Sequence, residues 1–531
     1  MAINSAHPSY TAQVVDWTLM RDAYQGERVV KEKGTLYLPP TPGQVLDGQG
    51  KPNTAGDKAY EAYKTRASFP DFVSDAVESY IGLLHQKPAT IELPAVMEPM
   101  LAKASIDGES LQALLRRINV EQLVPGRVGL LLDIAEEPDP ANPLPYIALY
   151  AAETIINWDE SKDHEGVNAL NLVVLDESGY ERQTDLTWKF EQSYRVLKLG
   201  VPAAPAAPTE PGEERDEAQE PAPGDVYIQG EYDLNDGTTV VDSVMSAPML
   251  RGVMLEQIPF VFVNSKDIIA TPDNPPMIGL GRLCMTIYRG EADYRQTLFM
   301  QGQDTLVTVG GIVDPDTGAA DAGAATSDGV RVGAGARIDL NMGGDAKYIG
   351  VSSTGLPEQR QALDADKKQA SGKAGQLISP SSGKQESGDA LTTRLSAQTA
   401  TLNQIAKAGA LALENILKIA AAWMGANPDE VVVTPNLEFV KETLPSKDLV
   451  ELMSARTMGA PLSLESIHEL IVKRGISEKT FEEEMALIED EDLLAAKAQA
   501  KVMALLPAPA PAPAKPGAPA PSPAAAPAGA K

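Results

Sequence analysis

Two stretches able to form long helices, residues 277–302 and 356–378, flank a Gly-rich insert, and this pairing constrains the chain more than any other feature. As helices each would span about 35 Å at ~1.5 Å per residue. The first (MIGLGRLCMTIYRGEADYRQTLFMQG) carries Leu280, Leu283, Ile287, Tyr294 and Leu298 along one apolar stripe. The second (LPEQRQALDADKKQASGKAGQLI) is polar nearly all round. A long helix with so little to bury needs neighbours of its own kind or a lumen to border. The hairpin therefore predicts a subunit of a ring, packed against copies of itself, more than a self-contained enzyme.

The 531 residues exceed what one core holds, so about three or four modules are expected. A formal net charge of −29 argues against a sequence-reading nucleic-acid binder, which shows a basic face. It leaves room for a surface past which DNA slides. A single cysteine, Cys284, excludes an internal disulfide framework and reads as a helix-packing residue in a reducing compartment. The opening MAINSAHPSYTAQ has no basic and apolar leader pattern, and no run of about 18 apolar residues occurs, so a soluble, unsecreted protein is expected.

Residues 8–33 read as a helix with Val14, Trp17, Met20 and Tyr24 on one face. Residues 34–57 are turn-rich and read as a loop or arm, 58–85 resume a helical pattern broken by Pro70, and 109–123 form a further helix. From 126 to 265 the period changes: GRVGLLLDI, PYIALYA, ALNLVVLDE, YRVLKLG, DVYIQGEY and IPFVFVN are strand-like runs bounded by Pro, Gly, Asp and Asn. They predict one sheet domain, interrupted at 201–224 by an acidic Pro/Ala insert too poor in apolar residues to fold. Residues 389–424 predict one long helix stopped at Gly425. Three Ser-capped helices follow in 446–500, and after Leu506 the tail is a semi-extended Pro/Ala spacer expected to pack against nothing.

Motifs for chemistry are missing. His7, His85, His164 and His468 are scattered without ligand spacing, and His85 reads as a helix C-terminal cap. Gly372-Lys373 and Gly383-Lys384 fail as phosphate loops, because Lys367 and Ile378 stand where the first glycine belongs and Ala374 and Gln385 follow the lysines. Asp314, Asp316 and Asp321 lack the glycine and terminal glutamate of a calcium loop. Gly279-x-Gly281 has no dinucleotide fingerprint around it. Asp364 and Lys368 have the spacing of a structural helix pair. No catalytic residue, metal ligand or cofactor is expected.

The run Arg21-Asp22, Gly26-Glu27, Val30, Gly34, Tyr37-Leu38-Pro39, then Tyr60, Tyr63, Arg66-Ala67 and Phe69, resembles the opening of tailed-bacteriophage portal proteins. The branch is one often labelled only as a domain of unknown function. Ile258-Pro259-Phe260 and Ala292-Asp293-Tyr294 continue the likeness, which covers roughly residues 10–490 and is architectural outside these motifs. The resemblance implies an α+β portal-like fold: an α/β wing at 1–275, stem helices at 277–302 and 356–378, a small strand-containing clip at 303–355 and a tunnel loop at 379–388. A long wing helix and return segment at 389–445, a helical crown at 446–505 and a disordered tail at 506–531 complete it.

The same resemblance implies a dodecameric ring at one capsid vertex of the virion, assembled in the host cytoplasm. Double-stranded DNA would pass through it without sequence specificity during packaging and ejection. Terminase, a head-to-tail adaptor, and the major capsid and scaffold proteins would be its partners, and no membrane would be involved. Ser379, Ser381, Ser382 and Lys384 would face DNA in the tunnel loop, and Lys373, Lys384 and Arg394 would either contact phosphates in passing or pair with carboxylates of neighbouring subunits. Two other classes fit the residues: a virion structural or scaffold protein without an axial channel, and a hydrolase with an unrecognised pocket in the sheet domain.

Overall fold

The computed structural model describes residues 3–135, 144–162, 168–184, 186–200, 225–235, 239–241, 245–301, 305–309, 345–349, 355–374, 388–437, 439, 446–473, 477 and 479–505. The fold is α+β, as the sequence predicts, with helix predominating. None of the described helices is long and apolar enough to cross a membrane. The 201–224 insert, most of 303–355, residues 379–387 and the tail 506–531 lie outside the described residues. The chain divides into two compact units, Met1–Phe439 and Val440–Lys531.

The first unit opens with α1 (Pro8–Gln25) and α2 (Glu27–Glu32). His7 caps α1, its Nδ1 accepting from the Ser9 amide at 3.1 Å, with Pro8 at the first helical position. The single helix expected over 8–33 is broken because Gly26 adopts φ +86°, a left-handed angle that glycine tolerates and other residues resist. The stretch read as a loop or arm holds α3 (Pro42–Leu46), closed by a capping box between Thr41 and Gln44. Next come α4 (Ala55–Arg66) and α5 (Phe72–Leu84), parted at Pro70 as the ring's loss of an amide donor requires. His85 takes the C-cap position of α5.

Strand β1 (Thr90–Glu92) and α6 (Leu111–Leu123) lead into β2 (Arg127–Asp133), β3 (Tyr146–Ala151), β4 (Ile155–Lys162), β5 (Asn168–Asp176), β6 (Gly179–Arg182), β7 (Trp188–Gly200), β8 (Val226–Asn235), β9 (Thr239–Val241) and β10 (Phe260–Asn264). The one sheet predicted for this region is two. A three-stranded sheet runs β10-β2-β3, and a six-stranded one runs β4-β5-β7-β8-β9 with β6 paired to β7. Every residue of β2 is buried, and between its charged ends Val128–Leu132 read as a continuous apolar run rather than an alternation. At Gly129 a Cβ would lie 2.2 Å from the Phe260 ring, so only glycine lets the Phe260 side chain cross β2.

The chain continues through α7 (Ile278–Gln301), β11 (Thr305–Val309), β12 (Asp345–Ile349), α8 (Leu356–Ala374), α9 (Gly388–Met424) and β13 (Val432–Thr434). Strands β11 and β12 pair antiparallel, and β13 pairs with β1. The 37 residues of α9 stop at Gly425, where φ is +72° and the amide of Ala426 returns to the carbonyl of Ala421. Leu413, Ile416, Leu417 and Trp423 of α9 join Leu114, Leu115 and Ile118 of α6 and the apolar side chains of β2 and β10 in one core. A second core gathers Met20, Tyr60, Tyr63, Val73, Val77, Cys284, Ile287, Tyr288, Leu402 and Ile405.

A file of buried amides runs between these cores. His85 Nε2 meets Asn119 Oδ1 at 2.9 Å, Asn119 donates to Gln122 Oε1 at 2.8 Å, and Gln122 donates to the Asn264 carbonyl at 2.7 Å. The fully buried Arg127 ends the file, donating to the Ala270 carbonyl at 2.7 Å and to Asn264 Oδ1 at 3.3 Å. Its guanidinium lies 4.6 Å from the Trp158 ring centroid and 4.4 Å from that of Phe262. Burial pushes it down to about 9. The void beside His85 and Asn119 is about 10 Å3, room for one water.

The second unit consists of α10 (Ser446–Thr457), α11 (Leu464–Lys473) and α12 (Phe481–Leu505), the three helices the sequence predicts there. Ser463 Oγ accepts from the Ser466 amide at 3.0 Å, and Gly459 after α10 sits at φ +101°. The cap of α12 is a threonine, Thr480, rather than the serine expected: its hydroxyl accepts from the Glu483 amide at 3.4 Å and its own amide donates to the Glu483 carboxylate at 3.0 Å. His468 packs edge-on against Phe481 with ring centroids 5.5 Å apart.

Candidate functional site: a helix pair held by the N-terminal segment

The two long helices of the sequence are α7 and α8, and each buries more than its pattern promised. On α7 the buried face is Leu280, Gly281, Cys284, Met285, Ile287, Tyr288, Glu291 and Ala292, while Leu298 is exposed. Burial drives the Cys284 thiol up to about 12, so the sulfur is inert packing. The expectation that α8 has little to bury is corrected: Leu356, Leu363 and Ala370, one heptad apart, and Ala374 one turn further on form a buried row over most of its length. Gly290 lets the pair close, since a Cβ there would stand 2.8 Å from Leu363 Cδ2.

One acidic side chain locks the pair. Glu291, with a side chain only 7% exposed, accepts from Lys367 of α8 and from Arg295 of its own helix, the latter at 2.7 Å. Burial alone would raise the Glu291 carboxyl, but the hydrogen bonds from Lys367 and Arg295 outweigh it and hold the group below the ordinary carboxylate range. A carboxyl with a depressed folded pKa stabilises the fold above its unfolded value and loses that contribution as pH falls through the folded one. Stability of the first unit should therefore decline below about pH 4.5, and Glu291→Gln should flatten that acid limb. Urea midpoints measured against pH check this; parallel curves for the two proteins would remove the clamp.

The residues that carry the N-terminal resemblance converge on α7. Tyr63 donates to Asp293 Oδ1 at 2.6 Å. Arg66 donates to Gln296 and stacks 4.0 Å from the Phe299 ring centroid. Phe69 packs edge-on to Tyr288, and Arg289 Nε donates to the Tyr37 carbonyl at 2.8 Å. Behind them Tyr60 donates to the Leu38 carbonyl at 2.9 Å, and Tyr37 donates to the buried Asp22 at 2.6 Å. Arg21 forks between two carboxylates, reaching Glu121 at 2.6 and 3.1 Å and Glu153 at 2.6 and 2.9 Å. Sequence reading lists these residues as a motif but misses what they hold. The spacing of Tyr60, Tyr63 and Arg66 on one face of α4 was the available signal.

Of the residues expected to meet DNA, Lys373 is placed. It is exposed in the last turn of α8, its Nζ 3.6 Å from where a Gly279 Cβ would stand. Arg394 is on α9 with a side chain outside the described residues, as are Ser379, Ser381, Ser382 and Lys384 altogether. Gly388, assigned to the loop, is already the first residue of α9. Asp364 pairs with Arg360 at 3.8 Å. Among the described residues no group of three or more His, Cys, Asp and Glu is placed to hold a metal.

Residues 276–424, from the start of α7 to the end of α9, match a family described as a domain of unknown function, DUF4055. No curated protein matches the chain. Among solved structures it is similar to the neck of an empty GTA particle computed with C6 symmetry, at 14% identity and a TM-score of 0.35, over 82% of this chain and 98% of that one. It is likewise similar to the neck of a native GTA particle computed with C12 symmetry, at 13% identity and a TM-score of 0.35, over 81% and 97%.

Proposed function

We propose that the chain is a portal-type structural subunit of a tailed-phage head, forming a ring at one capsid vertex through which double-stranded DNA enters and leaves. The observation that carries this reading is the clasp. The residues by which the N-terminus resembles portal proteins, Tyr37, Tyr63, Arg66 and Phe69, are those that grip α7. They mount the α7 and α8 pair as a stiff, hydrogen-bonded element, as a wall that must not yield to passing DNA requires.

The charge fits the same role. At −29 per chain, a lumen bordered by such subunits repels phosphates and lowers friction. Lys373, Lys384 and Arg394 could make transient phosphate contacts. Terminase and a head-to-tail adaptor would dock at the segment between α7 and α8, and capsid and scaffold proteins at the outer surface. Electron microscopy of the purified full chain tests the proposal: rings of about twelve copies with an axial channel are expected. Monomers, or assemblies without a channel, would refute it and leave a virion structural protein of another kind.

A further inference from the structure

The ribbon formed by β6 and the first residues of β7 is built unlike the rest of its sheet. Among the described residues, Trp188–Glu191 of β7 pair only with β6, whereas Gln192–Gly200 pair with β8. Gln183 donates to the Thr187 carbonyl at 2.8 Å to close the turn. Tyr180 lies opposite Phe190, with ring centroids 5.3 Å apart and edge-to-face. Trp188 is two residues before Phe190 and so shares its face.

These rings are 70%, 51% and 65% exposed for Tyr180, Phe190 and Trp188, and Leu186 beside them is 66% exposed. The other three tryptophans, Trp17, Trp158 and Trp423, are 0%, 5% and 0% exposed. The opposite face of the ribbon carries Glu181, Lys189 and Glu191, with Lys189 paired to Glu191 at 3.2 Å. An isolated two-stranded ribbon gains nothing for folding by holding three aromatic rings in water.

A partner of matching chemistry is present in the chain. Residues 507–531 hold nine prolines, mostly alternating with alanine, and no acidic side chain; Lys515 and Lys531 are the only charges on side chains. Such a composition favours the polyproline II helix, which is already extended and loses little entropy on binding. Aromatic platforms recognise that helix by packing rings on its apolar faces, with an indole N–H available to a backbone carbonyl.

We propose that the aromatic face of this ribbon, Tyr180, Trp188 and Phe190, binds the Pro/Ala tail of a second copy of the chain as a polyproline II strand. The tail is then a tether between copies rather than an inert spacer. This stands apart from the portal reading, since it requires only that two copies meet.

Photo-crosslinking in the full chain tests it. With p-benzoylphenylalanine in place of Tyr180, irradiation should join the ribbon to peptides from 507–531. Mixing isotopically heavy and light copies should show the link between copies. The same group in place of Glu181, on the opposite face, should give at least tenfold less. Trp188→Ala, whose side chain serves no core, should lower the Tyr180 yield about tenfold, and excess synthetic 507–531 peptide should compete it away. Cross-links confined to another copy's ribbon, or an unchanged yield in Trp188→Ala or with peptide, would overturn the proposal, as would no tail cross-link at all.

Discussion

Replacing Arg21 with alanine is expected to destabilise the first unit by about 3 kcal/mol, because it strands two carboxylates that share one guanidinium. Glu121 and Glu153 approach it from α6 and from the turn before β4, and their side chains are only 15% and 21% exposed. With its partner gone, each carboxylate keeps the cost of lost solvent and loses the charge-assisted hydrogen bonds that offset it. The three side chains keep some contact with water, which places the effect at the low end for a broken ion pair. The combined variant Arg21→Met, Glu121→Gln, Glu153→Gln should recover most of the loss. Urea denaturation of the set decides the point. A cost for the alanine variant under about 1 kcal/mol would mean that the fork behaves as a surface bridge.

Gly409→Ala should be destabilising at a position where helix propensity alone says the reverse. Alanine in the middle of a helix is worth up to about 1 kcal/mol over glycine. At 409 the new Cβ would lie 2.7 Å from both Asn119 Nδ2 and Gln122 Oε1. Those atoms belong to the buried file of amides and cannot shift without breaking it: moving Gln122 breaks its bond to the Asn264 carbonyl, and moving Asn119 breaks its contact with His85. Overpacking together with buried polar groups left unpaired costs about 2–4 kcal/mol, which exceeds the propensity gain. Gly409→Val should cost more. Thermal unfolding gives the answer, and a rise in Tm for the alanine variant would show that α9 can shift away from α6.

The sequence is legible where a pattern is local. The apolar run GRVGLLLDI announces β2, and glycine after α9 announces its end. Strand β4 is missed because register shifts at Ile155/Asn157 and Asp159/Glu160 spoil its alternation. The buried row of α8 is missed because two of its four members are alanines, which do not register as an apolar stripe. The clasp is half legible for a different reason: one face of α4 displays Tyr60, Tyr63 and Arg66, but Tyr63 and its partner Asp293 stand 230 residues apart, and no local period encodes such a bond. Among the residues expected to face DNA, those of loop 379–387 lie outside the described residues, so that part of the site rests on resemblance alone.

That long separation has a consequence for how the chain comes to be folded. The core that holds Met20, Tyr63 and Val77 also needs Cys284 and Tyr288 of α7, Leu402 and Ile405 of α9, and Phe439. A ribosome that has made the first 275 residues has therefore released an apolar surface whose cover has not been synthesised. Contacts of such high sequence separation fold slowly and leave that surface open to aggregation meanwhile. The clasp cannot close until α7 has been made. Folding of the first unit is tied to completion of nearly the whole polypeptide, so a fragment ending before α7 should require chaperone protection rather than stand as a domain.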